Sequence, residues 1–482
     1  MPSANNDTPI LRFDTFTNTV NGKSVDTETT RCGINPATKK SNPPVPNATK
    51  QDLDDTVQAA RTAFVKWSQS SIEERKTALI AFAEALKQQE EDFAKLLTME
   101  QGKPLAAARA EVKDGYNWMF EMANLSLPDV VAEDNKVRKV TIRYTPLGVA
   151  AAIVPWNFPI HLACGKIAPA IMTGNTIIIK PSPFTPYCGL KLAELASHFF
   201  PPGVVQALSG DDNLGPWITA HPGIDKISFT GSTATGKKVM ESASKTLKRI
   251  TLELGGKDPA IICKDVDVQE VAPKITAAAF ANSGQICLAL KRIYIHESIY
   301  KEFRDAMVAH TKTLVIGNGA EPGVVLGPIQ NSMQYKRVQG FFDDIEKDSL
   351  KVVVGGANDL SSPGYFITPT IIDNPRETSR IVHEEPFGPI VPIFPWLDED
   401  EVVAQANNTK MGLGASVWSS NLEEAQRIGS RLEAGNVWIN THMVVDPNLP
   451  FSGHKESGIG SEWGITGLRS FCNVQTLMTM KA

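Results

Sequence analysis

Between residues 149 and 256 short apolar runs alternate with helical stretches, and this alternation constrains the fold more than any other feature of the chain. VAAAIVP (149–155) is apolar throughout, as a strand covered on both faces must be. A helical stretch over 161–173 follows, then TIIIK (176–180), a helix near 186–199, VVQAL (204–208), a short helix, KISFTG (226–231), a helix near 233–244 and RITLELGG (249–256). Strands alternating with helices predict βαβ units and a parallel sheet. Right-handed crossovers then gather the strand C-termini on one edge, where ligands bind in such sheets. Upstream, 51–99 reads as helices, because Ile72, Leu79, Ile80, Ala83, Leu86, Phe93 and Leu97 recur near helical spacing. Alternating Val140, Ile142 and Tyr144 in KVTIRYTPLG predict a strand with an exposed face, and the first fifty residues are polar.

Composition excludes several functions. At 482 residues the chain is long enough for two to four domains and a large core. Its net charge of −5 offers no basic surface, so nucleic acid is not an expected partner. The polar start MPSANNDTPILRFD lacks the apolar segment of a signal peptide, and no apolar run reaches the length of a membrane span. Six cysteines (Cys32, Cys164, Cys188, Cys263, Cys287 and Cys472) are scattered without a CxxC pair. That pattern predicts neither a disulfide framework nor a zinc site and fits a reducing cytoplasm. The histidines show no metal-ligand spacing, so no metal is expected.

Five segments contain residues able to do chemistry. SFTGSTATGKK (228–238) has the GxxxxGK of a phosphate-binding loop, but Lys238 stands where that motif needs Ser or Thr. Between a strand and a helix N-terminus, Gly231 to Gly236 is suited to an anion; equally, both glycines serve a tight turn and close packing. NSGQICLA holds Cys287 after the turn-like Ser283-Gly284-Gln285 and the helical TAAAFA (276–281); by spacing alone it is a nucleophile or a small buried hydrophobe. Glu253 in LELGG is a general base or a strand-end charge facing solvent. Asn157 in PWNFP is an oxyanion donor or a turn residue. In EEPFGP (384–389) a carboxylate and Phe387 suit ribose hydroxyls and a flat cofactor head, or form a solvated turn.

Taken together, PWNFP, ITLELGGKDP, SGQIC, EEPFGP, GNVWINT and PFSGHKESGIG resemble, in order and spacing, the aldehyde dehydrogenase superfamily. The resemblance runs from about residue 20 to the C-terminus, and FTGSTATGKK matches that family's cofactor turn, so the NTPase reading falls. It implies an α/β fold with a Rossmann-like cofactor domain (1–125 and 147–255), an α/β catalytic domain (256–466) and a small β oligomerisation arm (126–146 and 467–482). It implies Cys287 as nucleophile, Asn157 with the Cys287 backbone N–H as oxyanion hole, and Glu253 as general base. Phe229, Gly231, Ser232, Thr233, Ala234, Thr235 and Gly236 correspond to the pyrophosphate turn. Ile153, Trp156, Lys180, Ser182, Pro183, Gly215 and Leu254 belong with the rest of the cofactor site, Trp156 and Lys180 on the adenosine side. Gln334, Glu385 and Phe387 hold the nicotinamide end. The implied activity is oxidation of an aldehyde to an acid through a thiohemiacetal and a thioester, in a homodimer or homotetramer.

The chain departs from strongly NAD-selective relatives at Pro183, where they place a Glu three residues after the adenosine-site Lys. NAD is the expected cofactor, with NADP open because Lys180 and Ser182 suit a 2′-phosphate. A CoA-acylating relative is a rival, disfavoured by Glu253, which such enzymes typically lack. A catalytically silent structural relative is another, disfavoured by the intact Cys287, Glu253 and Asn157. HMVVDPNL (442–449) resembles the loop beside the substrate tunnel; Met443, Val444 and Val445 suggest an apolar aldehyde, Asp446 a cationic one. The sequence does not name the aldehyde.

Overall fold

The computed structural model describes residues 9–357 and 362–481. Residues 1–8, 358–361 and 482 lie outside it, and with them most of the polar start and the outermost ends of the expected first domain and arm.

The predicted βαβ run forms the centre of an eight-stranded sheet. Its strand order is Lys23–Val25, Asn18–Val20, Val205–Ala207, Thr176–Lys180, Val149–Ile153, Lys226–Thr230, Arg249–Glu253, Gly458–Ile459. The five middle strands are parallel, and every residue of Val149–Ile153 and Thr176–Lys180 is buried, which is why both read as unbroken apolar runs. From Val149–Ile153 the chain winds outward through Thr176–Lys180 to Val205–Ala207, then crosses back to Lys226–Thr230 on the other side. The order therefore reverses between Val149–Ile153 and Lys226–Thr230, and such a reversal opens a crevice at the strand C-termini.

Helices cover this sheet. Lys50–Trp67 and Ile72–Gln88 each begin with a capping box, Thr49 with Asp52 and Ser71 with Glu74. Glu90–Gln101 follows, and Leu105–Met122, which the sequence reading did not pick out, packs on Pro159–Met172. The apolar faces of the last four share one core with Ile177 and Ile179, whereas Leu53, Val57 and Ala60 of Lys50–Trp67 pack with Ile178 in another. The described part of the polar first fifty residues contains four short strands, Asn18–Val20, Lys23–Val25, Thr30–Ile34 and Ser41–Pro46.

A second, seven-stranded sheet is ordered Val352–Val354, Thr370–Asp373, Ile390–Trp396, Arg292–His296, Pro259–Ile262, Gly414–Trp418, Asn436–Ile439, parallel except at its first edge. The helix Val268–Phe280 leads from this sheet to the loop carrying Cys287. A separate three-stranded sheet pairs Arg138–Pro146 with Cys472–Met480 and Val130–Asp134. No helix among the described residues is long and apolar enough to cross a membrane.

Candidate active site

Residues from both large sheets and their loops line one cleft of about 1710 Å³ that begins at the strand reversal. Ile153 and Phe229, at the ends of the two strands flanking the reversal, line it, and so do Trp156, Lys180, Ser182, Pro183 and Gly215. Gly231, Ser232, Thr233, Ala234, Thr235 and Leu254 line it too, as do Gln334, Glu385 and Phe387. Asn157, Glu253 and Cys287 stand in the same cleft. Gly236 does not line it. This glycine lies beneath, where an added Cβ would come within 2.6 Å of Leu254, so its absent side chain lets the helix settle on the sheet.

The turn at 231–235 opens the helix Thr233–Ser244, whose N-cap Ser232 accepts from Thr235 N at 3.3 Å. The first N–H groups of a helix lack partners within it and face outward, a seat for an anion. Lys180 is buried, with Nζ donating to the Pro181 carbonyl at 3.2 Å. Burial, and then the neighbouring Arg31, lower its pKa to about 8. Arg31 donates to the Pro183 carbonyl at 2.6 Å. Asp211 and Asp212 line the cleft on the Lys180 side. Two carboxylates thus stand on the side of the cleft where Pro183 supplies none, on a segment that no motif marks.

At the other end Gln334 donates through Nε2 to the carbonyls of Pro386 and Phe387 (2.8 and 2.9 Å), fixing Phe387, whose φ is +48°. The Trp156 and Phe387 rings meet edge to face at 5.3 Å.

Cys287 is half-buried and follows an unusual turn in which Asn282, Ser283 and Gly284 all have positive φ (50°, 55° and 71°). Ser283 is held by donation from Oγ to the Gly327 carbonyl at 2.6 Å. A Cβ on Gly284 would lie 2.2 Å from the Gly388 carbonyl, so this position needs glycine twice over, for space and for backbone. The turn aims the segment after Val268–Phe280 into the cleft. Burial pushes the Cys287 thiol up to about 12; Lys291 pulls it down, and Glu385, Asp258 and Glu253 push it further up.

Asn157 follows the central strand and is 5% exposed. Lys103 donates to its carbonyl at 2.9 Å and is itself paired with Glu111, which accepts from the backbone N–H of Ile160 (2.9 Å) and His161 (3.3 Å). A buried ion pair thus fixes the loop. The Asn157 side chain crosses to the other sheet's unit, donating to the Gln285 carbonyl at 3.0 Å.

Glu253 ends its strand but does not face solvent: it is 3% exposed, and neither carboxyl oxygen has a hydrogen-bond partner. The alternative of a solvated strand-end charge is thereby excluded. Burial raises its pKa well above the ordinary value, Glu462 adds to the rise, and Lys166 opposes it. Lys166 and Glu462 form a buried pair in which Lys166 also donates to Ser228 (3.1 Å) and Thr230 (2.9 Å). An unpartnered buried carboxyl is costly and calls for a reason.

Beyond Cys287 the cleft is walled by apolar side chains, Leu162, Leu288, Phe451 and Trp463 among them. Met443 and Val445 of HMVVDPNL join this wall, whereas Val444 and Asp446 do not.

Residues 24–477 match the family model described as the aldehyde dehydrogenase family. The chain belongs to this family. It is 43% identical over 472 residues to aldehyde dehydrogenase LUC3 of a Fusarium species, across 98% of this chain and all of that one. It is 37% identical to phenylacetaldehyde dehydrogenase of Pseudomonas fluorescens, across 92% and 91% of the two chains. Among solved structures, betaine aldehyde dehydrogenase of Staphylococcus aureus in complex with NAD+ superposes with a TM-score of 0.93 at 32% identity, covering 96% of this chain and 95% of that one. In this aldehyde dehydrogenase the charged residues that sequence motifs did not mark belong to buried ion pairs behind the cleft residues: Lys103 with Glu111, Lys166 with Glu462, and Lys291, whose partner is Glu385. Each lies far from a recognisable motif or on the buried side of one, so only the fold brings them to the site.

Proposed function

We propose that this aldehyde dehydrogenase oxidises an aldehyde to its carboxylic acid with a nicotinamide dinucleotide, through a thioester on Cys287. The observation that carries this reading is the meeting of Cys287, Asn157 and Glu253, from three separate segments, in one cleft that opens at the strand reversal. The cofactor-binding unit is 1–125 with 147–255, the catalytic unit 256–466, whose Gly458–Ile459 returns to edge the first sheet, and the arm 126–146 with 467–482. Exposed Val474, Leu477, Met478 and Met480 along the arm's last strand support its pairing with another copy in a homodimer or homotetramer. The six unpaired cysteines support a reducing, cytoplasmic setting.

The residues present fit the cofactor. The helix start at 231–235 suits the pyrophosphate, Lys180 and Ser182 with Asp211 or Asp212 suit the adenosine ribose, and Gln334, Glu385 and Phe387 suit the nicotinamide end. NAD is the first expectation, as in the Staphylococcus relative; Lys180 and Arg31 also favour the extra phosphate of NADP. When bound, the nicotinamide supplies a hydride acceptor.

The Cys287 thiolate attacks the aldehyde carbonyl, forming a C–S bond and an alkoxide. Asn157 spends one Nδ2 hydrogen on Gln285 and keeps the second for that oxygen, beside the Cys287 backbone N–H. After hydride loss the carbon is a thioester. Glu253, whose environment raises its proton affinity toward the range of a useful base, takes a proton from water. The resulting hydroxide adds to the thioester, and the C–S bond breaks to release the acid and the Cys287 thiolate. The apolar wall of Leu162, Leu288, Phe451 and Trp463 favours an apolar aldehyde. A panel of about a dozen aldehydes with NAD+ and NADP+, followed by absorbance of the reduced cofactor, tests the reading. Folded protein that binds dinucleotide in calorimetry but reduces none with any aldehyde overturns it.

A further inference from the structure

Lys291 is buried four residues beyond Cys287, and its side chain turns back under the nucleophile's own loop. Its Nζ donates to the carbonyls of Ile286 (3.0 Å), Cys287 (2.6 Å) and Ala289 (3.2 Å) and lies 3.2 Å from Oε1 of Glu385. Glu385 also accepts from Gly256 N at 3.2 Å. Arg292, the next residue, turns away and donates to the carbonyls of Lys257, Gln405 and Ala406. The ionisable groups that act on Cys287 are Lys291, Glu385, Asp258 and Glu253. Burial raises Asp258 to about 8 and Glu253 well above its ordinary value. Lys291 is the cation among these groups, and Glu385 is the carboxylate paired with it.

We propose that Lys291 is a positioning residue for Cys287, fixing the loop through three carbonyls and setting a positive charge beside the thiol, with Glu385 as the counter-ion that mutes that charge. The proposal rests on the reading of Cys287 as nucleophile. No electron transfer is involved: the thiol proton leaves to solvent and the thiolate stays opposite Lys291.

The test is the pH dependence of Cys287 alkylation by iodoacetamide, read by mass on its proteolytic peptide, with exposed Cys32 as an internal reference. Lys291→Gln keeps an N–H donor and removes the charge. It is expected to raise the Cys287 midpoint by about one pH unit or more, and to lower kcat/KM more at pH 7 than at pH 10, with cofactor affinity held. Glu385→Gln, assayed for alkylation alone, is expected to move the midpoint down. The Cys32 midpoint stays fixed throughout. Absence of either Cys287 shift overturns the proposal. Should Lys291→Gln not fold, as judged by its melting curve, Glu385→Gln decides alone: an unmoved or raised midpoint overturns it. Failure of the underlying reading is separate, because it would appear as aldehyde oxidation surviving in Cys287→Ala.

Discussion

The side-chain amide of Asn157 donates to the Gln285 carbonyl at 3.0 Å, tying the loop after the first sheet's central strand to the loop that presents Cys287 two residues later. The bond spans 128 positions in the sequence and joins the two halves of the cleft. On the proposed mechanism Asn157 is then both a donor toward the reacting oxygen and a strut for the loop that carries Cys287.

Asn157→Ala should therefore lower kcat by ~10²–10³, the usual cost of one oxyanion donor, while leaving cofactor affinity near the parent value. Steady-state kinetics and calorimetry on the same preparation check this. A kcat close to the parent's would leave Asn157 as a strut only.

Cys287→Ala should abolish aldehyde oxidation while dinucleotide binding persists, because the thiolate is the covalent handle of the scheme. Residual oxidation above ~1% of the parent rate counts against the nucleophile, since loss of such a residue usually costs ~10³ or more.

The sheets were legible where burial is two-sided. Val149–Ile153 and Thr176–Lys180 are apolar at nearly every position because helices cover both faces, and so their limits agree closely with the runs read from sequence. Leu105–Met122 was not picked out: its buried face includes Glu111, Gly115 and Tyr116, which blur an apolar stripe. The first fifty residues hid four strands because these are short and partly exposed. In the site, Cys287, Glu253 and Asn157 stood out through their surrounding motifs. The charges behind them did not, because Lys166 and Glu462 are 296 positions apart and look like ordinary surface residues in a linear reading.

Gly231→Val should weaken dinucleotide binding. A Cβ at this position would stand 2.6 Å from the Phe229 ring, and Phe229 lines the cleft at the strand reversal. The ring must move, and the turn that offers its N–H groups to an anion moves with it. Calorimetric titration with NAD+ and NADP+ reads the effect; equal affinity in parent and variant would show that the turn serves packing alone.

Glu253→Gln separates two consequences of one buried carboxyl. In catalysis, Gln keeps the shape and removes proton acceptance, so the thioester should form and then persist. Rapid mixing should show a burst of reduced cofactor, at most one per site, then a slow steady rate, with an acyl adduct on Cys287 by mass. Where Glu253 also assists loss of the Cys287 proton the burst shrinks, and raising the pH toward the free-thiol value of about 8.5 restores it. In stability the sign follows from burial. The folded protein holds the Glu253 proton to higher pH than the unfolded chain, whose ordinary value is 4.5. Above that value the unfolded state releases a proton that the native state keeps, so the native state loses stability as pH rises, until its own carboxyl ionises. Gln cannot release a proton in either state. The melting temperature of Glu253→Gln should therefore gain on the parent as pH is raised from about 4.5 toward neutrality, while the two converge in acid apart from a constant offset. Parallel melting curves over that range, together with parental turnover and no acyl adduct, would return Glu253 to a residue without a part in the chemistry.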